Sequence, residues 1–388
     1  MKKDSLSSEE RLRLTLEHKE PDRIPFDLGS TPVSGITAGA YKKLISYLGI
    51  EKEEIPIVDI IQQLAEVDEE VLERLKVDTR GLFTNPPSKW KLKIEEKNGY
   101  RHFVDEWGIE WRMPKEGGYY YDMCRHPLKG ELSRERIDSF PWPDPADPAR
   151  VKGLKEKAEK FKSQKRGIIV KSIGGGFFEL GFWIRGFEDF YMDFATDPSL
   201  ACYLMDKLLE IRMAYWDLVL SELGKQIMIV MEGEDLGVQS GTMISPQMYR
   251  KYVKPREKKL FSYIKKIAPQ PVYIFFHTCG SVYEIIPDLI EVGVDILNPV
   301  QVSAARMDTP RLKKEFGKEL VFWGGGVDTQ DILPHGTPQQ VKDEVKRRID
   351  DLAPGGGFVF ATVHNIQADV PPENIMAMWE TLQEYGVY

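Results

Sequence analysis

A histidine and a cysteine two residues apart, His277 and Cys279, directly follow a short apolar run. In extended backbone, residues i and i+2 project to the same side, so the imidazole and the thiolate converge on one point. Nitrogen plus sulfur is a ligand set favoured by zinc, which is most often four-coordinate. A core histidine beside a buried cysteine would give the same pattern, so position has to separate the two readings. Glu232, Glu234 and Asp235 follow a second apolar run, and His364 follows the last one. Glu234 and His364 are therefore candidates to complete a site with His277 and Cys279. Glu234, Asp235 and His277 are the candidates for proton handling.

These side chains need elements that end close together. The chain repeats a short strand, a polar or glycine-rich turn, and an amphipathic helix. The clearest strands are expected at 167–172, 226–231, 271–276, 294–298, 319–323 and 357–361, with a first strand at 24–28 and a helix over 58–75. Strand ends are polar: Asn298 and Gln301 follow one, His364 and Asn365 another. A (β/α)₈ TIM barrel gathers such ends at one mouth. The competing doubly wound sheet lacks its glycine fingerprint after the first strand. Glycine triplets at 174–176, 324–326 and 355–357 mark sharp bends or close backbone approach and carry no P-loop Lys-Ser/Thr.

The expected organisation is one barrel domain, 1–388, with an aromatic-rich insertion at 85–145. The insertion reads as a small antiparallel meander (91–96, 100–111 and 119–123, with an Asn98-Gly99 hairpin signal) followed by a proline-rich connector. Most of its aromatics are expected to form a local core, while one of Tyr119–Tyr121 is free to serve a lid or docking surface.

Composition limits the function classes. With 42% apolar residues in 388, a full core is expected, not a disordered tail. The net charge of −8 has the wrong sign for a broad nucleic-acid surface. No apolar run approaches the ~18 residues of a membrane span, and the N-terminal stretch lacks a signal-peptide core. Three cysteines in so long a chain suggest a reducing interior and a cytoplasmic enzyme.

Five motifs carry a resemblance. Glu20-Pro-Asp-Arg-Ile-Pro25, Glu234-Asp-Leu-Gly-x-Gln239, Ile244-Ser-Pro-x-Met-Tyr249, Phe276-His-Thr-Cys-Gly280 and Asp369-Val-Pro-Pro-Glu-Asn374 are similar, in order, to motifs of the uroporphyrinogen decarboxylase superfamily. The resemblance implies the same barrel. The decarboxylases carry an arginine-bearing segment after the first strand for their polycarboxylate substrate; residues 27–35 here contain no arginine. The cobalamin-linked methyltransferase branch is the better fit. In its thiol-methylating members zinc is held by a His-x-Cys pair, matched by His277 and Cys279, and by a second cysteine, where this chain has His364.

One thiolate fewer leaves a more electrophilic metal, suited to polarising an oxygen. The expectation is a methyltransferase that moves methyl from a methoxylated aromatic compound to the Co(I) corrinoid of a separate corrinoid protein. It would use Zn²⁺, with Asn298, Gln301 and Asn365 contacting substrate or corrin and Phe177 and Trp183 forming an aromatic wall. No Asp-x-His-x-x-Gly corrinoid signature is present, so the corrinoid would arrive on its partner. The alternatives are methyl transfer from methylcorrinoid to a thiol, a non-catalytic corrinoid-protein partner, and tetrapyrrole decarboxylation. A homodimer is common for such folds, but the sequence carries no interface signal.

Overall fold

The computed structural model describes residues 5–388; the first four residues of the expected domain lie outside the description. Seven strands form one parallel sheet, in the order Phe358–Val359, Val321–Trp323, Ile296–Asn298, Tyr273–His277, Ile229–Gly233, Gly167–Lys171, Thr79–Leu82. Residues 24–28 close it. Asp27 N donates to Phe360 O and Phe360 N to Pro25 O, each at 2.9 Å, on one side. On the other, Asp78 N donates to Phe26 O at 2.9 Å. The ring therefore has the eight parallel positions of a (β/α)₈ barrel. Helices Ala38–Tyr47, Leu154–Ser163, Pro198–Leu223, Lys254–Ile267, Ile286–Val292, Thr309–Phe316, Pro338–Leu352 and Pro372–Tyr385 follow the strands in turn. No helix among the described residues is long and apolar enough to cross a membrane.

Alternation along the strands divides the apolar residues into two cores. Ile169, Ile229, Met231, Phe275, Ile296, Val321, Trp323 and Val359 fill the barrel interior. Their neighbours Ile168, Val170, Val230, Ile274, Phe276, Leu297, Phe322 and Phe358 face the helices. Leu12 and Leu16 from the capped helix Ser8–Leu16 join the inner core and stop the barrel floor.

The Glu20–Pro25 motif sits at this floor and does structural duty. Asp78, fully buried, accepts from Arg11 Nη1 at 2.7 Å, Arg23 Nη1 at 2.8 Å and Phe26 N at 2.9 Å. Asp22 accepts from Arg11 Nε at 2.7 Å; its carboxyl is held well below the usual range by the Arg11 guanidinium and two backbone amides, against burial that raises it.

Three expectations shift. Residues 58–75 are not one helix: Ile57–Asp59 pairs antiparallel with Leu64–Ala65, and only Glu69–Arg74 is helical. The apolar run there mimics helical spacing, but Asp59 Oδ1 accepts from Gln62 N at 3.0 Å and turns the chain. The strand expected at 226–231 runs Ile229–Gly233, which carries Glu232 into the barrel wall. The run expected at 100–111 breaks into Tyr100–Val104 and Glu110–Pro114, because Asp105 Oδ1 accepts from Trp107 N and Ile109 N at 2.9 Å. With Glu95–Lys97 and Asp122–Arg125 these make a four-stranded antiparallel sheet.

Removing the floor carboxylate leaves two buried arginines without it. Asp78→Ala should cost on the order of 3–5 kcal/mol in urea unfolding, whereas Lys93→Ala, which breaks an exposed pair with Glu95, should leave the transition unmoved.

Candidate active site

The barrel mouth opens into a cavity of about 430 Å³ roofed by the antiparallel sheet. Trp90, Phe103, Trp107, Trp111 and Trp183 line it, with His277 and His364 on the barrel side. Trp183 meets the edge of Trp111 at 5.6 Å between ring centroids, so the inserted sheet and helix Phe177–Arg185 share one aromatic wall.

His277 ends its strand and Cys279 follows in the loop. Cys279 Sγ lies 3.4 Å from His277 Nε2, and the His364 ring is 5.5 Å from the His277 ring between centroids. One donor atom from each of the three residues falls within 4.8 Å of the other two. His277 Nδ1 is 2.7 Å from Asn298 Oδ1, and Asn298 Nδ2 donates to Trp323 O at 2.8 Å. The amide orientation makes Nδ1 the donor, which leaves the Nε2 lone pair aimed at the cluster. Burial lowers the His277 pKa and takes His364 to about 4, the latter also through its neighbour His277. Both imidazoles are thus neutral and able to ligate near pH 7. Burial, then Asp235 and Glu179, pushes the Cys279 thiol well up. An N₂S donor set, buried at His277 and half-buried at Cys279 and His364, with the His277 tautomer fixed from behind, fits a zinc ion.

The expected carboxylates divide. Asp235 stays with the cluster, 3.7 Å from His277 Nε2 and accepting from Cys279 N at 3.0 Å. Glu234 turns away: its carboxyl accepts from Phe178 N and Glu179 N, both at 2.9 Å, at the start of helix Phe177–Arg185. It is outside the three-residue cluster. Burial pushes its pKa up to about 7, against the lowering by those amides. Gly176 makes this approach feasible, since a Cβ there would lie 2.1 Å from Glu234 Cδ. Glu232 is tied to Arg212 Nε at 3.0 Å and to Trp216 Nε1 at 2.6 Å.

The other expected contacts stand behind the wall. Asn298 holds His277; Gln301 Oε1 accepts from Gly280 N at 2.6 Å and fixes the loop after Cys279. Asn365 accepts from Gly35 N at 2.6 Å and donates to Pro32 O and Gln62 Oε1 at 2.8 Å. Phe177 packs in the core under the Arg212 guanidinium, 5.6 Å from its ring centre.

Several residues escaped the sequence reading. Glu179 lines the cavity, and burial, with Asp235 and Glu234 nearby, keeps its carboxyl well above the usual range. Its position just past a glycine triplet at a helix start was the available signal. Lys171, a cation closing an apolar strand, was another. Arg212 sits mid-way along a long helix and offers no local signal at all.

A family profile described as uroporphyrinogen decarboxylase (URO-D) matches residues 127–385. A methylated-thiol–coenzyme M methyltransferase of Methanosarcina mazei is 23% identical over 266 residues, 67% of this chain and 65% of that protein. A uroporphyrinogen decarboxylase of Citrifermentans bemidjiense is 27% identical over 221 residues, 54% of this chain and 58% of its own length. The chain thus spans somewhat less than two thirds of the length of either relative. A solved methyltransferase structure from Methanosarcina mazei superposes with a TM-score of 0.64 over 98% of this chain and 99% of that one, at 16% identity, a likeness of fold.

Metal uptake should report the protonation states above. Two neutral imidazoles release nothing, and the protonated thiol releases about one proton per zinc at pH 7. Affinity should then rise about tenfold per pH unit while the thiol stays protonated. Calorimetric titration of the metal-free protein in buffers of different ionisation enthalpy measures that count, and a release near zero would show a preformed thiolate.

Proposed function

Because the chain belongs to the uroporphyrinogen decarboxylase family, we propose that it is a methyltransferase of that family which takes a methyl group from a methoxylated aromatic compound. The acceptor is the Co(I) corrinoid of a separate corrinoid protein. Homology to a methyltransferase supports the broad reaction class. The observation that carries the finer reading is the His277–Cys279–His364 cluster at the foot of an aromatic-walled cavity.

Zinc held by His277, Cys279 and His364 would supply a Lewis acid that draws electron density from the ether oxygen. The chain's own residues do the remaining work. The tryptophan wall orients one aromatic ring and excludes water. Asn298 keeps His277 in one tautomer. Glu179, its carboxyl pKa raised well above the usual range by burial and by Asp235 and Glu234, would hold a proton on the cavity side for the departing oxygen. In the transfer, the Co(I) electron pair forms the Co–CH₃ bond, the O–CH₃ bond breaks, and its pair stays on oxygen, which leaves as the phenol after taking the proton. The corrinoid partner would dock over the mouth, and Tyr119 and Tyr120 of the insertion are exposed.

A second reading runs the other way, from methylcorrinoid to a thiol. The similarity to the methylated-thiol enzyme favours it, and the replacement of a second thiolate ligand by His364 favours the ether. Decarboxylation of a tetrapyrrole polycarboxylate would need several cations, and Lys171 is the one lysine or arginine along this cavity among the described residues.

Anaerobic visible spectroscopy of cob(I)alamin with the protein and a panel of methoxybenzoates and neutral methoxybenzenes tests direction and class together. The expected result is a methylcob(III)alamin spectrum that requires both enzyme and donor. Methyl transfer only from methylcobalamin to an added thiol would assign the reverse reaction. Cys279→Ser should lose stoichiometric zinc and at least 10²-fold in rate together; full activity in that variant would refute the zinc role.

A further inference from the structure

Among the described residues, one cationic side chain along the cavity has no hydrogen-bond or ion-pair partner. Lys171 is the last residue of its strand and shares the inward parity of Ile169, in register with Met231, which in turn pairs with Phe275. Lys171 lines the cavity, and among the described residues its ammonium has no hydrogen-bond or ion-pair partner. Most acids along the cavity are engaged elsewhere, and Asp235 stays at the cluster, accepting from Cys279 N beside His277. Glu232 holds Arg212, and Glu106 holds Arg150. Asp105 takes Trp111 Nε1 at 2.8 Å on one oxygen and two backbone amides on the other. Asp59 accepts from Gln62 N, and burial, with Asp235 and Glu234 nearby, raises the Glu179 carboxyl well above the usual range.

We infer that Lys171 is the specificity residue for an anionic group on the ligand, a carboxylate carried by a single aromatic ring. This rests on the reading of the cavity as the site of an aromatic methyl donor. An ammonium on the inward face of the strand, beside an aromatic wall, offers a ligand carboxylate a charge partner at close range. The geometry suits one ring. Lys171 and His277 lie on strands two apart, with His277 one inward position further toward the mouth. At ~4.8 Å per strand their backbones are separated by on the order of 10 Å. A benzoate can meet the ammonium at one end and present its methoxy group to the His277–Cys279–His364 cluster at the other. The tryptophan wall accepts the ring between them.

The test separates binding from turnover. Trp90, Trp107, Trp111 and Trp183 line the cavity, so quenching of tryptophan fluorescence reads occupancy without zinc, corrinoid or reaction. Methoxybenzoates and the corresponding neutral methoxybenzyl alcohols are titrated into wild-type protein, Lys171→Met and Lys171→Arg. The expected result is preference for the carboxylates by wild type, a loss of at least 30-fold for them alone in Lys171→Met, and substantial recovery in Lys171→Arg. A circular-dichroism melt of each variant accompanies the titration. If Lys171→Met does not fold, the comparison of Lys171→Arg and wild type between charged and neutral ligands decides the same point. Equal affinity for both ligand classes in wild type, or unchanged carboxylate affinity in Lys171→Met, overturns the inference. Demethylation of neutral donors with no dependence on Lys171 would overturn it while leaving the proposed function standing. Carboxylate binding that depends on Lys171 without any methyl transfer would sustain it while the proposed function falls.

Discussion

The arrangement of the mouth depends on one buried guanidinium. Arg212 reaches from helix Pro198–Leu223 to Glu232 at the end of a barrel strand, and to the loop that follows the neighbouring strand. There it donates to Ser172 Oγ at 2.7 Å, to Ile173 O at 2.9 Å and to Gly175 O. A buried ion pair of this kind gives little net stability compared with apolar packing. Its contribution is placement: four acceptors around one planar fork fix where the glycine-rich loop runs. That loop sets the start of helix Phe177–Arg185, whose first amides bind Glu234. Glu179 then faces the cavity and Trp183 reaches the roof. The cavity wall and the placement of Glu179 are consequences of that fork.

The same contact decides the charge of the site. Glu232 points toward the mouth on sequence grounds and could be taken for a free carboxylate. Paired with Arg212 and bonded to Trp216, it offers the cavity no uncompensated charge. Glu234 is likewise absorbed by helix amides, so acids that look concentrated in the sequence leave Asp235 alone beside the histidines. What the mouth presents is neutral imidazole, a half-buried thiol, aromatic faces, the Asp235 carboxylate and one lysine.

Legibility followed the range of the interactions involved. Strand positions came from alternation of apolar residues, a local property, and the His277, Cys279 and His364 convergence came from strand parity plus the barrel rule that strand ends meet. The inserted sheet was visible in its Asn98-Gly99 turn. The helix expected over 58–75 failed because a short apolar run fits two periodicities, and the deciding hydrogen bond, Asp59 to Gln62, has no strong signature. Asn298, Gln301 and Asn365 were found as strand-end amides, but their partners lie on other strands and loops, some over 300 residues away in sequence. A sequence shows that an amide stands at the mouth; it does not show whether the amide faces a ligand or a backbone. Arg212 is the extreme case, a helix residue whose every acceptor is long-range.

The substitution of an imidazole for a thiolate gives the site its chemical character on the proposed reading. Two neutral imidazoles and one thiolate leave a divalent ion with one net positive charge, whereas two thiolates and an imidazole would cancel it. A residual positive charge favours drawing electrons from a bound oxygen over releasing a thiolate as nucleophile. The protein around the cluster is consistent with that direction. Asp235 approaches His277, but its nearer oxygen accepts from the Cys279 amide, so it tempers the charge without being one of the clustered donors. Burial and the neighbouring Asp235 and Glu234 raise the Glu179 carboxyl well above the usual range, which disfavours its anionic form beside the cluster. Aromatic faces contribute no charge at all. A thiol-activating site needs surplus negative charge at the metal; this one is built to avoid it, and His364 is the residue through which the difference enters.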